Sequence, residues 1–242
     1  VITYLAMVAT ADGATVTAAG VFTSNLMTAP PVLVCRDHLA FTGGRAAAVV
    51  LNSGNANAAT GESGRSNAET MCALTAESVG CAADEVLVCS TGWIGYPLPM
   101  DAIAPAISVV AGAMNDEGGP SAARAMMTTD TVPKTTVITG TTTGGATFTV
   151  GGVAKGAAML EPNMATMLGY LSCDAGVPAD LWQAMVSRAV DRSFNAITVD
   201  GDTSTNDCYL AFAAGEPLGP DHFEALEAGL TAVSQHLAKA IA

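Results

Sequence analysis

Short apolar runs alternate with segments of helical spacing along the 242 residues of this chain. Apolar runs bounded by Gly, Pro or Asn are typical of buried strands, whereas apolar residues that recur with the helical period predict amphipathic helices. The apolar runs predict strands at 32–35, 46–51, 86–89, 167–171, 194–199 and 208–213. The helical spacing predicts helices over 66–79, 101–114, 122–127, 178–193 and 221–242.

Turn signals divide these elements. Residues 11–13, Ala-Asp-Gly, predict a hairpin turn among N-terminal strands, and Gly144-Gly145 predicts another within the Thr-rich segment 135–150. The Asn/Gly-rich run 52–61 follows a predicted strand. Such a run is typical of an exposed loop, either a plain turn or one whose amides face a ligand.

Composition and charge exclude several classes of function. A chain of this length buries roughly 70–75% of its unfolded surface, so one large domain or two small ones are possible without disulfide bonds or metal ions to stabilise them. The formal net charge is −13, with nine Lys and Arg residues, which argues against nucleic acid or anionic membrane as a partner. No apolar run is long enough to span a bilayer, and no basic region followed by an apolar run is visible at Val1, so we predict no secretory signal in this sequence.

The six cysteines show no CxxC pair, and most lie in or beside apolar segments. We interpret them as reduced, buried thiols and predict a cytoplasmic protein. The three histidines share no ligand spacing with a cysteine, so we predict no metal site. The acidic segment 200–207 resembles an oxygen-ligand site for a hard cation, but it lacks the EF-hand spacing.

The segment 155–169, KGAAMLEPNMATMLG, carries the strongest candidate chemistry. Thr166 follows the small residue Ala165 at the start of a predicted buried strand, with Lys155 upstream. Cleavage of the chain between Ala165 and Thr166 would give the threonine a free α-amino group, a base with an ordinary pKa of about 7.7–8.0. The alternative is that Thr166 only begins a core strand.

Two further polar segments are candidates for a site. Ser90-Thr91-Gly92 follows a predicted strand, where backbone N–H groups can face a developing oxyanion or simply form a turn. Residues 128–134, TTDTVPK, place three hydroxyls and a carboxylate together, and they either line a pocket or cap a turn.

Six motifs in one order along the chain resemble the glutamate N-acetyltransferase (ornithine acetyltransferase) family of arginine biosynthesis. They are GVFTSN, LNSGNANAATG, STGWIGYPLPM, MMTTDTVPK, KGAAMLEPNMATML and FNAITVDGDTSTND. The resemblance covers nearly the whole chain, and six ordered motifs are far more specific than any one of them.

The resemblance implies an α/β fold, a β/α sandwich with an N-terminal-nucleophile-like layout. It implies a precursor that cuts itself at Ala165–Thr166 into an α chain, 1–165, and a β chain of which 166–242 is the N-terminal part. These chains would assemble into αβ pairs and a larger oligomer such as a heterotetramer. The implied reaction is ping-pong transfer of acetyl from N2-acetylornithine to glutamate through an ester on Thr166.

The resemblance also implies roles for individual residues. Thr91 and Gly92 match the oxyanion-hole pair, although Trp93 stands where a small apolar residue is expected. Lys155 matches a substrate-contacting lysine, and Thr128 or Thr129 a substrate-contacting threonine.

The resemblance implies no cofactor, with acetyl-CoA as a co-substrate of some members. The chain shows no Gly-rich phosphate loop with a basic partner, which favours the CoA-independent reaction. Family members continue beyond residue 242 into further substrate contacts, so we expect this chain to be partial. The alternatives are a related self-cleaving aminopeptidase or amidohydrolase, in which water accepts the acyl group, and an inactive partial chain.

Overall fold

A computed structural model describes residues 4–142, 144–157 and 167–242. The described strands are β1 (Tyr4–Ala9), β2 (Val16–Phe22), β3 (Arg45–Ala46), β4 (Ala48–Asn55), β5 (Val86–Trp93), β6 (Lys134–Thr141), β7 (Thr147–Lys155), β8 (Leu168–Gly176) and β9 (Cys208–Pro217). The described α-helices are α1 (Pro30–Phe41), α2 (Gly61–Val79), α3 (Met100–Gly112), α4 (Gly119–Ala125), α5 (Ala179–Asp191) and α6 (Phe223–Ile241).

The strands form two sheets. The small sheet has the order β1-β4-β5 and the large sheet the order β3-β2-β9-β8-β7-β6. Two neighbouring pairs are parallel, β4 with β5 and β8 with β9, and the other pairs are antiparallel. In a parallel pair the same ends of both strands lie together, so polar residues next to those ends lie close to one another.

The large sheet is buried on both faces, as the alternation along β9 shows. Tyr209 and Ala211 belong to the core formed with α5 and α6. Cys208, Leu210 and Phe212 belong to the core shared with the small sheet and helices α1 to α3. Because successive strand residues point to opposite faces, one continuous apolar run supplies both cores.

Helix α6 covers the core that the large sheet forms with α5, using the apolar stripe that its sequence predicts. Leu226, Leu230, Val233, Leu237 and Ile241 are all buried. Burying a side chain of this size stabilises the fold by about 1.5–3 kcal/mol, so the stripe holds α6 firmly on the sheet.

The predictions of most elements are confirmed, including the hairpin of β6 and β7 and every predicted helix. The predicted strand at 32–35 is wrong, because these residues lie in α1. Pro30 opens that helix, where a missing N–H costs nothing, and Val32, Val34 and Cys35 are buried on its inner side.

Two other predictions fail for a similar reason. The predicted strand at 194–199 is a short 3-10 turn at Phe194–Ala196. The turn at 11–13 does not join a hairpin, because β1 pairs with β4 and β2 pairs with β3 and β9. Short apolar runs do not distinguish strand from helix, and partners distant in the chain decide the pairing.

The six cysteines are free thiols, five of them buried and Cys81 partly exposed. Within the described residues no helix is long and apolar enough to cross a membrane.

Candidate functional site

The carboxyl ends of β4 and β5 meet at a glycine pair. Ser53 lies opposite Thr91, and Gly54 lies opposite Gly92. Gly92 has φ +134°, and a Cβ added there would lie 2.3 Å from the carbonyl carbon of Gly54 and 2.5 Å from the nitrogen of Asn55. Only glycine fits this close approach of two backbones, so the Thr91–Gly92 turn has a specific geometrical requirement.

The predicted exposed loop at 52–61 is largely buried, which corrects that prediction. Its side-chain amides bond to the protein itself. The Ser90 hydroxyl donates to Asn52 Oδ1 over 2.6 Å, and Asn57 Nδ2 donates to the Gly64 carbonyl over 2.8 Å. These amides fix the backbone of the β4 end rather than facing a ligand.

Lys155 lies at the end of β7, opposite Leu168 at the start of β8, and is 2% exposed. Its Nζ donates to Thr91 Oγ1 over 3.1 Å, which joins the large sheet to the small one. Burial lowers the pKa of the Lys155 ammonium, while Asp130 and Asp207 act in the opposite direction. Lys155 is therefore a buried lysine and not a solvated surface residue.

Asp130 anchors the TTDT segment. Its side chain is fully buried and accepts hydrogen bonds from Lys134 Nζ and, over 2.8 Å, from the Gly156 N–H. Burial alone would raise the pKa of Asp130, but the Lys134 ammonium and these N–H donors hold it below its ordinary value. Thr128 and Thr129 are exposed beside it, and the Thr128 N–H also donates to Asp130. The carboxylate thus shapes the segment, and the two threonines remain accessible.

Asp207 is the residue whose place sequence analysis missed. It precedes β9 and is completely buried, and its Oδ1 accepts the Met167 N–H over 2.8 Å. Its second oxygen, Oδ2, is buried without a hydrogen-bond partner among the described residues. Burial raises the pKa of Asp207 to about 8, although the Met167 N–H and the Ser204 hydroxyl favour the ionised form.

The neighbouring Asn206 explains why Asp207 is held so firmly. Asn206 Nδ2 donates to the carbonyl oxygens of Ala56 and Ser90, over 2.6 Å and 2.9 Å, and so ties the start of β9 to the small sheet. The Asp207 carbonyl accepts the Thr23 N–H over 3.0 Å. The carboxyl group therefore has little freedom to turn toward solvent.

The cation hypothesis for segment 200–207 fits the structure poorly. Asp202 is exposed, whereas Asp207 is buried and directed at β8. No three His, Cys, Asp or Glu side chains lie close enough to hold a metal ion in the described part of the chain.

Two predicted residues, Ala165 and Thr166, lie outside the described residues. On the N-terminal side of these residues, Lys155 contacts Thr91, and on the C-terminal side Met167 contacts Asp207. Trp93, the departure from the expected pattern, is 61% exposed and packs edge to face on Tyr96 with 5.8 Å between ring centroids.

Comparison with known proteins gives this arrangement a family. The sequence profile of the ArgJ family matches residues 3–242. The chain belongs to the ArgJ family. It is 51% identical over 238 residues to the arginine biosynthesis bifunctional protein ArgJ of Prochlorococcus marinus strain MIT 9313, covering 98% of this chain and 55% of that protein. It is 50% identical to ArgJ of Symbiobacterium thermophilum, covering 93% of this chain and 57% of that protein. This chain thus spans about half the length of these relatives.

Solved structures support the fold. ArgJ from Bacillus halodurans has a TM-score of 0.56 at 38% identity, covering 67% of this chain and 83% of that one. The ornithine acetyltransferase of Mycobacterium tuberculosis, solved with ornithine, has a TM-score of 0.59 at 40% identity, covering 66% and 82%. An aminopeptidase from Ochrobactrum anthropi, a variant of the Ntn hydrolase fold, shares only the fold, with a TM-score of 0.51 at 11% identity over 98% and 72%. The predicted α/β, N-terminal-nucleophile-like fold is confirmed.

Proposed function

We propose that this chain forms part of an acetyltransferase of arginine biosynthesis, which moves acetyl from N2-acetylornithine to glutamate. Thr166 carries the acetyl group as an ester between the two halves of a ping-pong reaction. The observation that carries the proposal is the Thr91–Gly92 turn with Lys155 bonded to it, beside the strand that follows Thr166. The ornithine bound to the M. tuberculosis relative supports the substrate class.

The nucleophile is made by cleavage of the chain. The Thr166 hydroxyl attacks the carbonyl carbon of Ala165, the peptide bond passes to an ester, and water then releases the carboxylate of Ala165. Thr166 keeps its hydroxyl and gains an α-amino group. That amine takes the hydroxyl proton when the oxygen attacks the acetyl carbonyl, and the leaving amine of ornithine receives a proton in turn. Glutamate's amine then attacks the ester and regenerates the hydroxyl.

The developing oxyanion is bound by the Thr91 hydroxyl and the Gly92 N–H. Because Lys155 already donates to Thr91 Oγ1, the proton of that hydroxyl is directed elsewhere and is free to meet the reacting oxygen. Preorganised donors of this kind typically account for a factor of about 10²–10³ each in rate.

The substrate's carboxylate has two groups of candidate partners. Thr128 and Thr129 lie exposed on the segment that Asp130 fixes, and they supply hydroxyl donors. Lys155 supplies a buried positive charge, which attracts a carboxylate strongly in a poorly solvated place. In a chain with a net charge of −13, such a local cation is what makes an anionic substrate acceptable.

The proposal also covers how the cleaved chains are organised. Residues 1–165 and 166–242 become parts of separate α and β chains, and these associate further. Acetyl-CoA is not required, because glutamate receives its acetyl group from acetylornithine.

The test uses the longest natural form of the protein that carries this sequence. Incubation with N2-acetylornithine and isotopically labelled glutamate should yield labelled N-acetylglutamate and one equivalent of ornithine. Ornithine and free acetate without dependence on glutamate would instead show that water is the acceptor, as in the aminopeptidase alternative. A purified, folded protein that releases no ornithine would contradict the proposal.

A further inference from the structure

The oxyanion turn, Thr91–Gly92, depends on contacts from outside its own sheet. The register of β4 and β5 shifts between Gly54 and Asn55, so regular strand pairing ends at this point. Among the described strands, β5 is also an edge strand of the small sheet. A backbone that presents a donor to a reacting oxygen has to be held to within about 0.5 Å. Contacts from other elements therefore decide how well this turn is held.

Asn206, which lies just before β9, supplies such a contact from the large sheet. Its Nδ2 donates to the Ser90 carbonyl over 2.9 Å and to the Ala56 carbonyl over 2.6 Å, and the residue is 5% exposed. An amide nitrogen has two hydrogens, and each of them has its own carbonyl acceptor here. The side chain therefore bridges two backbone segments of the small sheet.

The two segments lie on either side of the oxyanion turn. Ser90 directly precedes Thr91, and its carbonyl lies in the same rigid peptide plane as the Thr91 N–H. The Ala56 N–H donates over 2.9 Å to the carbonyl of Trp93, which directly follows Gly92. One amide group thus holds the residue before the turn directly and the residue after the turn through Ala56.

Asn206 is itself firmly held. The Thr205 hydroxyl donates to Asn206 Oδ1 over 2.7 Å, and the Asn206 N–H donates to the Ser204 hydroxyl over 3.0 Å. The carbonyl of the following residue, Asp207, accepts the Thr23 N–H over 3.0 Å. Because both ends of its side-chain amide are bonded, Asn206 fixes the oxyanion turn relative to the start of β9.

The large sheet contacts the turn through a second side chain as well. Lys155 Nζ, from β7, donates to Thr91 Oγ1 over 3.1 Å. Lys155 therefore holds the hydroxyl of Thr91, while Asn206 holds the carbonyl that precedes it. The proposed reaction gives Lys155 a role, and it leaves Asn206 without one.

On the basis of the proposed function, we propose that Asn206 is a positioning residue for the oxyanion turn. It holds the backbone on both sides of the turn, so that the Thr91 hydroxyl and the Gly92 N–H converge on the oxygen of the reacting acetyl group. Asn206 acts through the backbone of the turn. Its removal leaves substrate binding in place and weakens an interaction that develops only in the transition state.

The experiment compares Asn206→Ala with wild type in the longest natural form of the protein, with Asn25→Ala as the matched control. The Asn25 amide also binds segment 200–207, at the Thr203 carbonyl over 3.0 Å, and its hydrogen bonds within the described residues lie away from the turn. Steady-state kinetics give kcat and KM for N2-acetylornithine. Calorimetry gives the affinities for ornithine and for its methylphosphonamidate, whose tetrahedral, negatively charged phosphoryl group stands for the oxyanion.

We expect Asn206→Ala to lower kcat at least about tenfold, with KM within about threefold of wild type. Binding of the phosphonamidate should weaken at least about tenfold, while the affinity for ornithine stays unchanged. Asn25→Ala should match wild type in all four values. If Asn206→Ala does not fold, Asn206→Ser replaces it. Because one hydroxyl hydrogen cannot serve two carbonyls, this variant should lose at least about threefold in kcat and in phosphonamidate affinity.

A purely structural role would reduce only the amount of folded protein, and the folded fraction would bind the phosphonamidate with wild-type affinity. That result would overturn this inference while leaving the acetyltransferase intact. Wild-type protein that binds the phosphonamidate no more tightly than ornithine would instead overturn the oxyanion turn itself, and with it the proposed function.

Discussion

In the uncut chain, replacing Asp207 should change how the stability of the protein depends on pH. Burial raises the pKa of this carboxyl from 3.8 to about 8, so the folded chain holds a proton there that the unfolded chain has lost. The folded state binds more protons between these two pH values, and the free energy of unfolding therefore falls as pH rises from about 4 to about 8. Below pH 4 both states are protonated, and the stabilisation is fully present.

The size of the effect follows from the shift. A change of about four pKa units, at about 1.36 kcal/mol each, corresponds to about 5–6 kcal/mol lost across the window. Such a loss is large against a total stability of about 5–15 kcal/mol for a typical domain. Asparagine has no proton to lose, and its Oδ1 still accepts the Met167 N–H. Asp207→Asn should therefore gain only about 1 kcal/mol over the parent between pH 3.5 and pH 4.5, and several kcal/mol by pH 8.

The assay is urea unfolding at a series of pH values, in a Thr166→Ala background that keeps the chain uncut. Asp202→Asn in the same background is the control, because its carboxylate is exposed. The pKa shift of Asp130 is present in each variant and cancels in the difference, whereas the pKa of Lys155 loses the contribution of Asp207 in Asp207→Asn. Parallel stability curves for the parent and Asp207→Asn, with equal m-values, would refute the reasoning.

Three further substitutions test the oxyanion turn. Gly92→Ala should lose at least about 100-fold in rate, because its Cβ would lie 2.3 Å from the backbone of the opposite strand. The control is Gly95→Ala, which is also at positive φ but faces open space and should stay active. Equal activities of the two variants would contradict the assignment of Gly92 to the oxyanion turn. Thr91→Val should lower kcat by about 10²–10³ with little change in KM, and a loss under threefold would exclude the hydroxyl as a donor. Lys155→Met should lower kcat, and the double variant with Thr91→Val should lose less than the sum of the two single losses, because the two side chains share a hydrogen bond. Lys239→Met, at an exposed position, should leave kcat unchanged.

The strongly periodic elements of this chain are predictable from sequence. The stripe of α6 and the hairpin of β6 and β7 repeat their signal over many residues, so local pattern and tertiary packing agree. The runs at 32–35 and 194–199 were too short to carry a period. At 32–35 the two prolines that precede the run open a helix, and the apolar residues pack as its buried face.

The residues of the site also divide into those that the sequence predicts and those that it does not. Thr91 and Gly92 were found because a strand ends there, and Lys155 because it is one of few cations. The need for glycine at 92 arises from Gly54 on a different strand, which no local pattern reveals. Asp207 was grouped with its acidic neighbours along the chain, yet the parallel pairing of β8 and β9 directs it to Met167 instead.

The central claim is that Thr166 becomes an N-terminal nucleophile, and intact mass tests it most directly. The measurement compares the longest natural form of the protein with its Thr166→Ala variant, followed by N-terminal sequencing of each fragment. The account predicts two chains that meet at Ala165 and Thr166 in wild type, and a single chain in the variant. A single uncut chain in both proteins, with acetyl transfer still present, would contradict it.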